Sequence, residues 1–265
     1  MFLNDSTAFQ FKKILCMLQI IFKYFIFITV LGMFSSSFSM AKGDVDNSIY
    51  ALLLKKHVGD NRVYYDGLKK DEALLDKYLS ILSNTDVKSL TGKRRFAFYI
   101  NAYNAFTIKL ILTKFPGINS IKEIGGFFSN PWSKKFILLQ GRKVSLDYIE
   151  HYILRPEFKD PRVHFAINCA SKSCPPLLNE PYESDILDNQ LDNQAKRFIN
   201  NPKNTFFKGD TLFISKIFKW FKEDFSNNPL LFIQQYASIE LKEKFNLQKG
   251  SMTVRYLDYD WSLNR

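Results

Sequence analysis

Arg94-Arg95-Phe96-Ala97-Phe98-Tyr99-Ile100-Asn101-Ala102-Tyr103-Asn104-Ala105-Phe106-Thr107-Ile108-Lys109-Leu110-Ile111-Leu112 is apolar on nearly every side of a helix. Phe96, Tyr99, Ile100, Tyr103, Phe106, Ile108, Leu110 and Ile111 cover most of its circumference, and a helix that is apolar all round is a buried one. This stretch therefore predicts a central helix over 94–115, ended by Pro116-Gly117 because proline lacks an N–H and disfavours helix in the residue before it. Working outward, Asp46 and Asp71 are expected to cap two flanking helices, the second carrying Leu74, Leu75, Tyr78, Leu79 and Leu82 on one face. Downstream, 136–139 and 142–144 around Gln140-Gly141 read as a hairpin, and so do 205–207 and 211–214 around Lys208-Gly209-Asp210. Ser145, Ser184 and Ser215 are expected to cap further helices, the first running to about 154 before Pro156. Val163, Phe165 and Ile167 alternate with His164, Ala166 and Asn168, which reads as a two-faced strand. A helix near 230–245 and a strand near 253–259 complete an α+β fold: several helices around a buried central one, packed on a small, mainly antiparallel sheet.

Composition agrees with a folded chain. The 265 residues are 46% hydrophobic and 16% aromatic, with 26 Phe, so an aromatic-rich core can form and disorder is excluded as the main state. Residues 1–41 read as a signal peptide or N-terminal membrane anchor: Lys12 and Lys13 flank apolar runs at 14–22 and 24–34, and Ser39 and Ala41 fit a small-residue cleavage site. The same apolar run is long enough to span a bilayer of about 30 Å, with Lys23 as the costly residue inside it. Either reading exports residues 42–265, a single globular domain, to the periplasm or outside the cell. It also allows membrane association through the N-terminal segment. The net charge of +11 is spread among acidic residues rather than gathered in an aromatic-interleaved groove, so no nucleic-acid partner is expected. The expected ligand is a small molecule or a peptide. No Gly-rich phosphate loop, dinucleotide fingerprint, nucleophile elbow or H-E-x-x-H is present, and no cofactor is expected.

The densest polar constellation is His164-Phe-Ala-Ile-Asn168-Cys169-Ala-Ser171-Lys-Ser173-Cys174-Pro175-Pro176. A thiol, an imidazole and an amide are the parts of an acyl-transfer site. Cys169 or Cys174 is the candidate nucleophile, His164 the base that lowers the thiol's pKa, and Asn168 an orienting amide. On a regular strand His164 and Cys169 would face opposite ways, so a bulge or turn at 168–170 is required. The alternative is a non-catalytic binding module in which a Cys169–Cys174 disulfide closes the loop, worth roughly 2 kcal/mol. A further alternative is a zinc site from His151, His164, Cys169 and Cys174; its spacing is not diagnostic, and no metal ligand is assigned. Asn101 and Asn104 share one face of the central helix and need partners, either architectural or lining a cleft beneath the Cys/His loop. Glu150-His151, with Tyr148 and Tyr152, form a third candidate binding group. Asp258 and Asp260 are expected on one strand face, in salt bridges.

Several blocks resemble one family across nearly all of residues 42–265. They are Val63-Tyr64-Tyr65-Asp66-Gly67-Leu68, Ala97-Phe98-Tyr99-Ile100-Asn101-Ala102-Tyr103-Asn104-Ala105 and Ser145-Leu146-Asp147-Tyr148-Ile149-Glu150-His151. Pro161-Arg162-Val163-His164-Phe165-Ala166-Ile167-Asn168-Cys169-Ala170-Ser171, Ser173-Cys174-Pro175-Pro176-Leu177, Ser215-Lys216-Ile217-Phe218-Lys219-Trp220 and Tyr256-Leu257-Asp258-Tyr259-Asp260-Trp261 complete the set. Together they resemble the uncharacterised family called domain of unknown function 547. The resemblance implies no activity. It implies exported bacterial and intracellular plant relatives, and an intracellular member would not keep a disulfide. That implication adds weight to a free-thiol or metal role. The leading functional expectation is a thiol-dependent hydrolase or acyl transferase.

Overall fold

The computed structural model describes residues 45–125, 130–248, 250 and 252–265. The expected signal peptide or anchor, residues 1–41, lies outside them. In chain order the described helices are α1 (Ser48–His57), α2 (Tyr65–Lys70), α3 (Glu72–Asn84), α4 (Gly92–Leu112), α5 (Leu146–Ile149), α6 (Leu187–Ile199), α7 (Ile217–Trp220), α8 (Pro229–Tyr236) and α9 (Ile239–Leu247). The strands are β1 (Val58–Gly59), β2 (Arg62–Val63), β3 (Ile137–Leu139), β4 (Arg142–Val144), β5 (Thr205–Lys208), β6 (Thr211–Ile214) and β7 (Thr253–Tyr256). Helices dominate and the sheets are small, as the α+β reading requires.

Helix α4 is the buried axis. Residues Phe96 through Ile108 are all buried along it, and α2, α3 and the segment after α5 pack around it. It stops at Leu112, a little before the expected Pro116-Gly117. The face of α3 formed by Leu75, Tyr78, Leu79 and Leu82 is buried against it. Gly67 on α2 is required by close approach: a Cβ there would collide with the His57 ring. Both expected hairpins form. Gln140-Gly141 turns β3 into β4 with positive φ at both residues, and β5 pairs antiparallel with β6. Strand β7 joins β6 in parallel, and it ends at Tyr256 rather than 259.

Among the described residues there are two apolar clusters. One surrounds α4; the other packs Phe165, Phe198, Leu212, Ile214, Phe218, Phe225 and Ile233 around the three-stranded sheet. Phe165 sits in the second cluster beside Phe198, Phe218 and Phe225, which ties it to the chain that crosses from the first.

The structure corrects three expectations here. Residues 163–167 are not a strand: Pro161–Phe165 is a 3-10 helix. Asp160 caps it by accepting from the Arg162 N–H, and Pro161 supplies the pre-set φ of a first helical position. The alternation misled because His164, Ala166 and Asn168 are as buried as their apolar neighbours. The helix capped by Ser145 does not stop before Pro156. After α5 the chain widens into a π-helix, Glu150–Phe158, that includes Pro156. Asp258 and Asp260 also fall outside any strand; Asp258 pairs with Lys216 on the surface, 2.9 Å away.

Candidate functional site

The chain crosses between the clusters around a cavity of about 210 Å³. Its walls come from segments far apart in the chain. Tyr103 projects from α4, Asp147, Glu150 and His151 from α5 and the π-helix, and His164 and Ile167 from the 3-10 helix and its exit. Cys169, Cys174 and Pro175 come from the loop, Ile217, Trp220 and Phe221 from α7 and its end, Tyr259 and Trp261 from the C-terminal segment, and Trp132 from a short 3-10 turn. Trp132, Trp220 and Trp261 are all three tryptophans of the chain.

Residues 259–265 act as a strap across the 169–174 loop. Lys172 N–H donates to Ser262 C=O at 2.9 Å and Ser173 N–H to Asp260 C=O at 3.2 Å, while Asn264 Nδ2 donates to Asn168 Oδ1 at 3.2 Å. On the other side Ser120 Oγ donates to Trp261 C=O at 2.7 Å. These bonds hold Tyr259 and Trp261 over the cavity. Their rings lie 4.6 Å apart, and Trp220 lies 4.7 Å from Tyr259 and 5.7 Å from Trp261. Trp132 meets Trp261 edge-on at 5.6 Å, and Lys122 Nζ sits 3.9 Å over the Trp261 ring.

The sulfurs of Cys169 and Cys174 form a disulfide. Cys174 Sγ accepts from the Cys169 N–H at 3.0 Å and from the Ser171 and Tyr259 hydroxyls, each at 3.3 Å. His164 does not reach either sulfur through Nε2. That nitrogen donates to Asp224 Oδ2 at 2.6 Å, and its ring stacks on Phe221 at 4.0 Å. The expected Cys–His nucleophile pair is corrected accordingly: both thiols are consumed by the bridge, and the imidazole is committed to a carboxylate. The expected zinc set fails for the same reason, and among the described residues no three His, Cys, Asp or Glu side chains gather as ligands.

Asp224 also accepts a bidentate pair from Arg155, Nε at 2.6 Å and Nη2 at 3.1 Å. Burial pushes Asp224 up, but the bonds from His164 and Arg155 outweigh it and hold the carboxyl well below the usual range. Burial, helped by the nearby Arg155 and His151, lowers the pKa of His164 despite the bond to Asp224, which as a carboxylate accepts from Nε2. Arg155 Nη1 donates to His151 Nδ1 at 3.1 Å, and burial together with that guanidinium lowers the pKa of His151 as well. Glu150 is buried, and among the described residues the Tyr103 hydroxyl, 3.2 Å from Oε2, is its hydrogen-bond donor. Burial pushes its carboxyl up to about 7. Asp147, half-buried one turn earlier, is raised by the same cause. The cavity thus has an aromatic wall, a disulfide at one side and acid–base groups at another.

The asparagines have structural work. Asn101 donates through Nδ2 to Tyr182 C=O and accepts from Tyr182 N–H, both at 2.9 Å. Asn104 makes the matching pair with Ala166 C=O and Asn168 N–H, at 2.9 and 2.8 Å. Asn168 donates to Pro175 C=O at 2.7 Å and accepts from Ala170 N–H at 2.8 Å, so it shapes the disulfide loop from behind. None of the three lines the cavity; Glu150, His151, His164, Cys169 and Cys174 do.

Residues 87–199 match the family model described as "Protein of unknown function, DUF547". The DUF547 match covers part of the chain and bears out the resemblance there. It contains Tyr103, Trp132, Asp147, Glu150, His151, His164, Cys169 and Cys174. Trp220, Phe221, Asp224, Tyr259 and Trp261 lie beyond it, so the cavity is completed by chain outside the DUF547 segment. Comparison with curated proteins and with solved structures gave no match. Sequence reading missed Asp147, Arg155, Asp224, Tyr259 and the tryptophans as site residues. The tryptophans carried the one available signal, since a large, rare side chain is enriched where ligands and partners bind.

Proposed function

We propose that this is an exported protein that binds a small molecule, or the end of a peptide, in the aromatic cavity beside the Cys169–Cys174 bridge. One observation carries the reading. All three tryptophans, both loop cysteines and two of the three histidines line one cavity, although they come from segments far apart in sequence. A core alone gives no reason for such a convergence, whereas ligand sites pair apolar and aromatic walls with a few placed polar groups. At about 210 Å³ the cavity falls below the roughly 300–1,000 Å³ of drug-sized sites, which favours one ring with a short side group. The ring stacks on Trp220, Tyr259 and Trp261, and a donor or cationic group faces Asp147 and Glu150. The bridge fits this role as a brace for the loop that forms one wall. Export rests on the sequence of residues 1–41, and a disulfide accords with an oxidising compartment.

Because every tryptophan borders the cavity, selectively excited tryptophan fluorescence reports on it. Titration with aromatic amines, amino-sugars and short peptides is expected to give saturable quenching by at least one class. Trp220→Ala and Glu150→Gln are each expected to weaken that response about tenfold or more. Binding unaffected by both substitutions would place the ligand elsewhere. Cell fractionation with intact-mass measurement tests export: a cytoplasmic protein retaining residues 1–41 contradicts it.

A further inference from the structure

We propose that the Cys169–Cys174 bridge is a chemically active disulfide that exchanges with the sulfurs of a small dithiol, or in reverse a small disulfide, held in the aromatic cavity. The proposal rests on the reading of that cavity as a ligand site and adds the class of substrate. A brace that only closes a loop needs neither access from outside nor hydrogen-bond donors on its sulfurs. This bridge has both.

Access comes from two sides. Cys169 and Cys174 line the aromatic cavity, and Cys174 also lines a second, polar cavity of about 720 Å³ walled by Arg62, Lys172, Ser173 and Asp260 among others. Cys169 is partly exposed, whereas Cys174 is buried. Exchange begins when a thiolate attacks an accessible sulfur, and its rate rises as the departing sulfur becomes a better leaving group. The donors make that division of labour. Cys174 Sγ faces the Cys169 N–H at 3.0 Å and the Ser171 and Tyr259 hydroxyls at 3.3 Å. Cys169 Sγ faces the same two hydroxyls, at 3.3 and 3.5 Å, so among the described residues the Cys169 N–H is the donor that sets Cys174 apart. Three donors converge where a thiolate would appear if Cys174 left, and donors aimed at developing charge are what stabilise a leaving anion.

The loop backbone is built for the same end. Ala170, between the cysteine pair, is held in the left-handed region at φ 62°, a conformation that costs a non-glycine residue energy. The Asn168 side chain on its N–H and the Asn264 N–H on its carbonyl, 2.8 and 3.2 Å away, fix it there. Glu150 borders the same cavity, and burial pushes its carboxyl up to about 7, so it can take and return a proton near neutral pH.

The chemistry balances as two exchanges. A substrate thiol gives its proton to Glu150 or solvent, and its thiolate attacks Cys169 Sγ. A mixed disulfide forms and Cys174 departs as a thiolate, which takes that proton back from Glu150 or solvent. The second thiolate of the same molecule then attacks the substrate sulfur of the mixed disulfide. The substrate's own disulfide forms and Cys169 departs, taking up a proton. The dithiol has lost two electrons and two protons, and the protein has gained two thiols. Run backwards, the reduced protein reduces a substrate disulfide. Turnover requires a second thiol–disulfide couple, of the glutathione class, to reset the bridge.

The test uses the native full chain with dithiothreitol and glutathione as probes, followed by alkylation and intact-mass measurement. The expected result is reversible reduction of the folded protein within minutes in about 5 mM reduced thiol, and reoxidation by oxidised glutathione. In the reduced protein one cysteine is expected to ionise below the ordinary value near 8.5. Tyr259→Phe keeps the ring that packs on Trp220 and Trp261, and it is expected to raise that value and slow attack by dithiothreitol about two- to tenfold. A bridge that resists both thiols until the protein is unfolded overturns the proposal. So do two cysteines of ordinary acidity in the reduced protein, or a Tyr259→Phe variant with unchanged acidity and rate. Tryptophan quenching by the cavity ligands in Cys169→Ser/Cys174→Ser separates the two readings: quenching with no exchange in the parent protein sinks only the redox step, while absence of quenching in the parent sinks the cavity reading itself.

Discussion

Asp224 shows how one residue organises the site. It takes His164, and through Arg155 it reaches His151, so a single carboxylate sets the orientation of two imidazoles. Its pKa is depressed in the folded state, so its contribution to stability is complete above the unfolded value near 3.9 and is lost as pH falls below it. Asp224→Asn is expected to cost about 1–3 kcal/mol in urea unfolding at pH 7 and to flatten the acid limb below about pH 4. Glu150 works in the opposite sense. Its folded pKa is raised to about 7, so the folded state holds the proton more tightly, and stability declines as pH rises from about 4.3 through 7. Glu150→Gln removes that decline, on the order of 3 kcal/mol, and should bring the unfolding midpoints at pH 5 and pH 8 closer together. An unchanged gap between them would mean that Glu150 ionises freely in the folded protein.

Among the elements, α4 carries the fold, and its two inward amides carry the loops. Asn104→Ala strips the hydrogen bonds from Ala166 C=O and Asn168 N–H, the backbone on either side of the turn into the disulfide loop. The expected loss is about 2–4 kcal/mol, from two buried backbone groups left unpaired, with faster alkylation of the loop cysteines after reduction. The central helix, the α3 face and both hairpins were legible in the sequence because periodicity and turn chemistry are local signals. The segment 161–168 was not. Its interleaved His164 and Asn168 are buried through partners on α4 and at Asp224, and no local pattern reveals such partners. The π-helix was also hidden, because Pro156 reads as a stop unless the widened turn is known. Widened turns gather at functional sites, and this one presents Glu150 and His151 to the cavity.

At the scale of the molecule, the site is a product of topology. The His164/Cys169/Cys174 cluster stood out in the sequence because thiols and imidazoles are rare, and the three do line one cavity. Their chemistry was misjudged there, since the Asp224 that occupies His164 lies 60 residues away. Tyr259 and Trp261 arrive only because the C-terminal strap bonds to the loop and to Ser120. Ser120→Ala, which removes the 2.7 Å bond to Trp261 C=O, is expected to loosen that wall and weaken ligand quenching severalfold, with stability lowered by about 1 kcal/mol.

The convergence of distant side chains on one occupied cavity is tested most directly by nuclear magnetic resonance of the tryptophan indole N–H groups, of which the chain has three. A ligand found by fluorescence should shift all three indole signals and those of the His151 and His164 rings, while His57, paired with Asp71 away from the cavity, stays still. Saturable binding that moves His57 or other distant signals and leaves the three indoles unmoved would contradict the account.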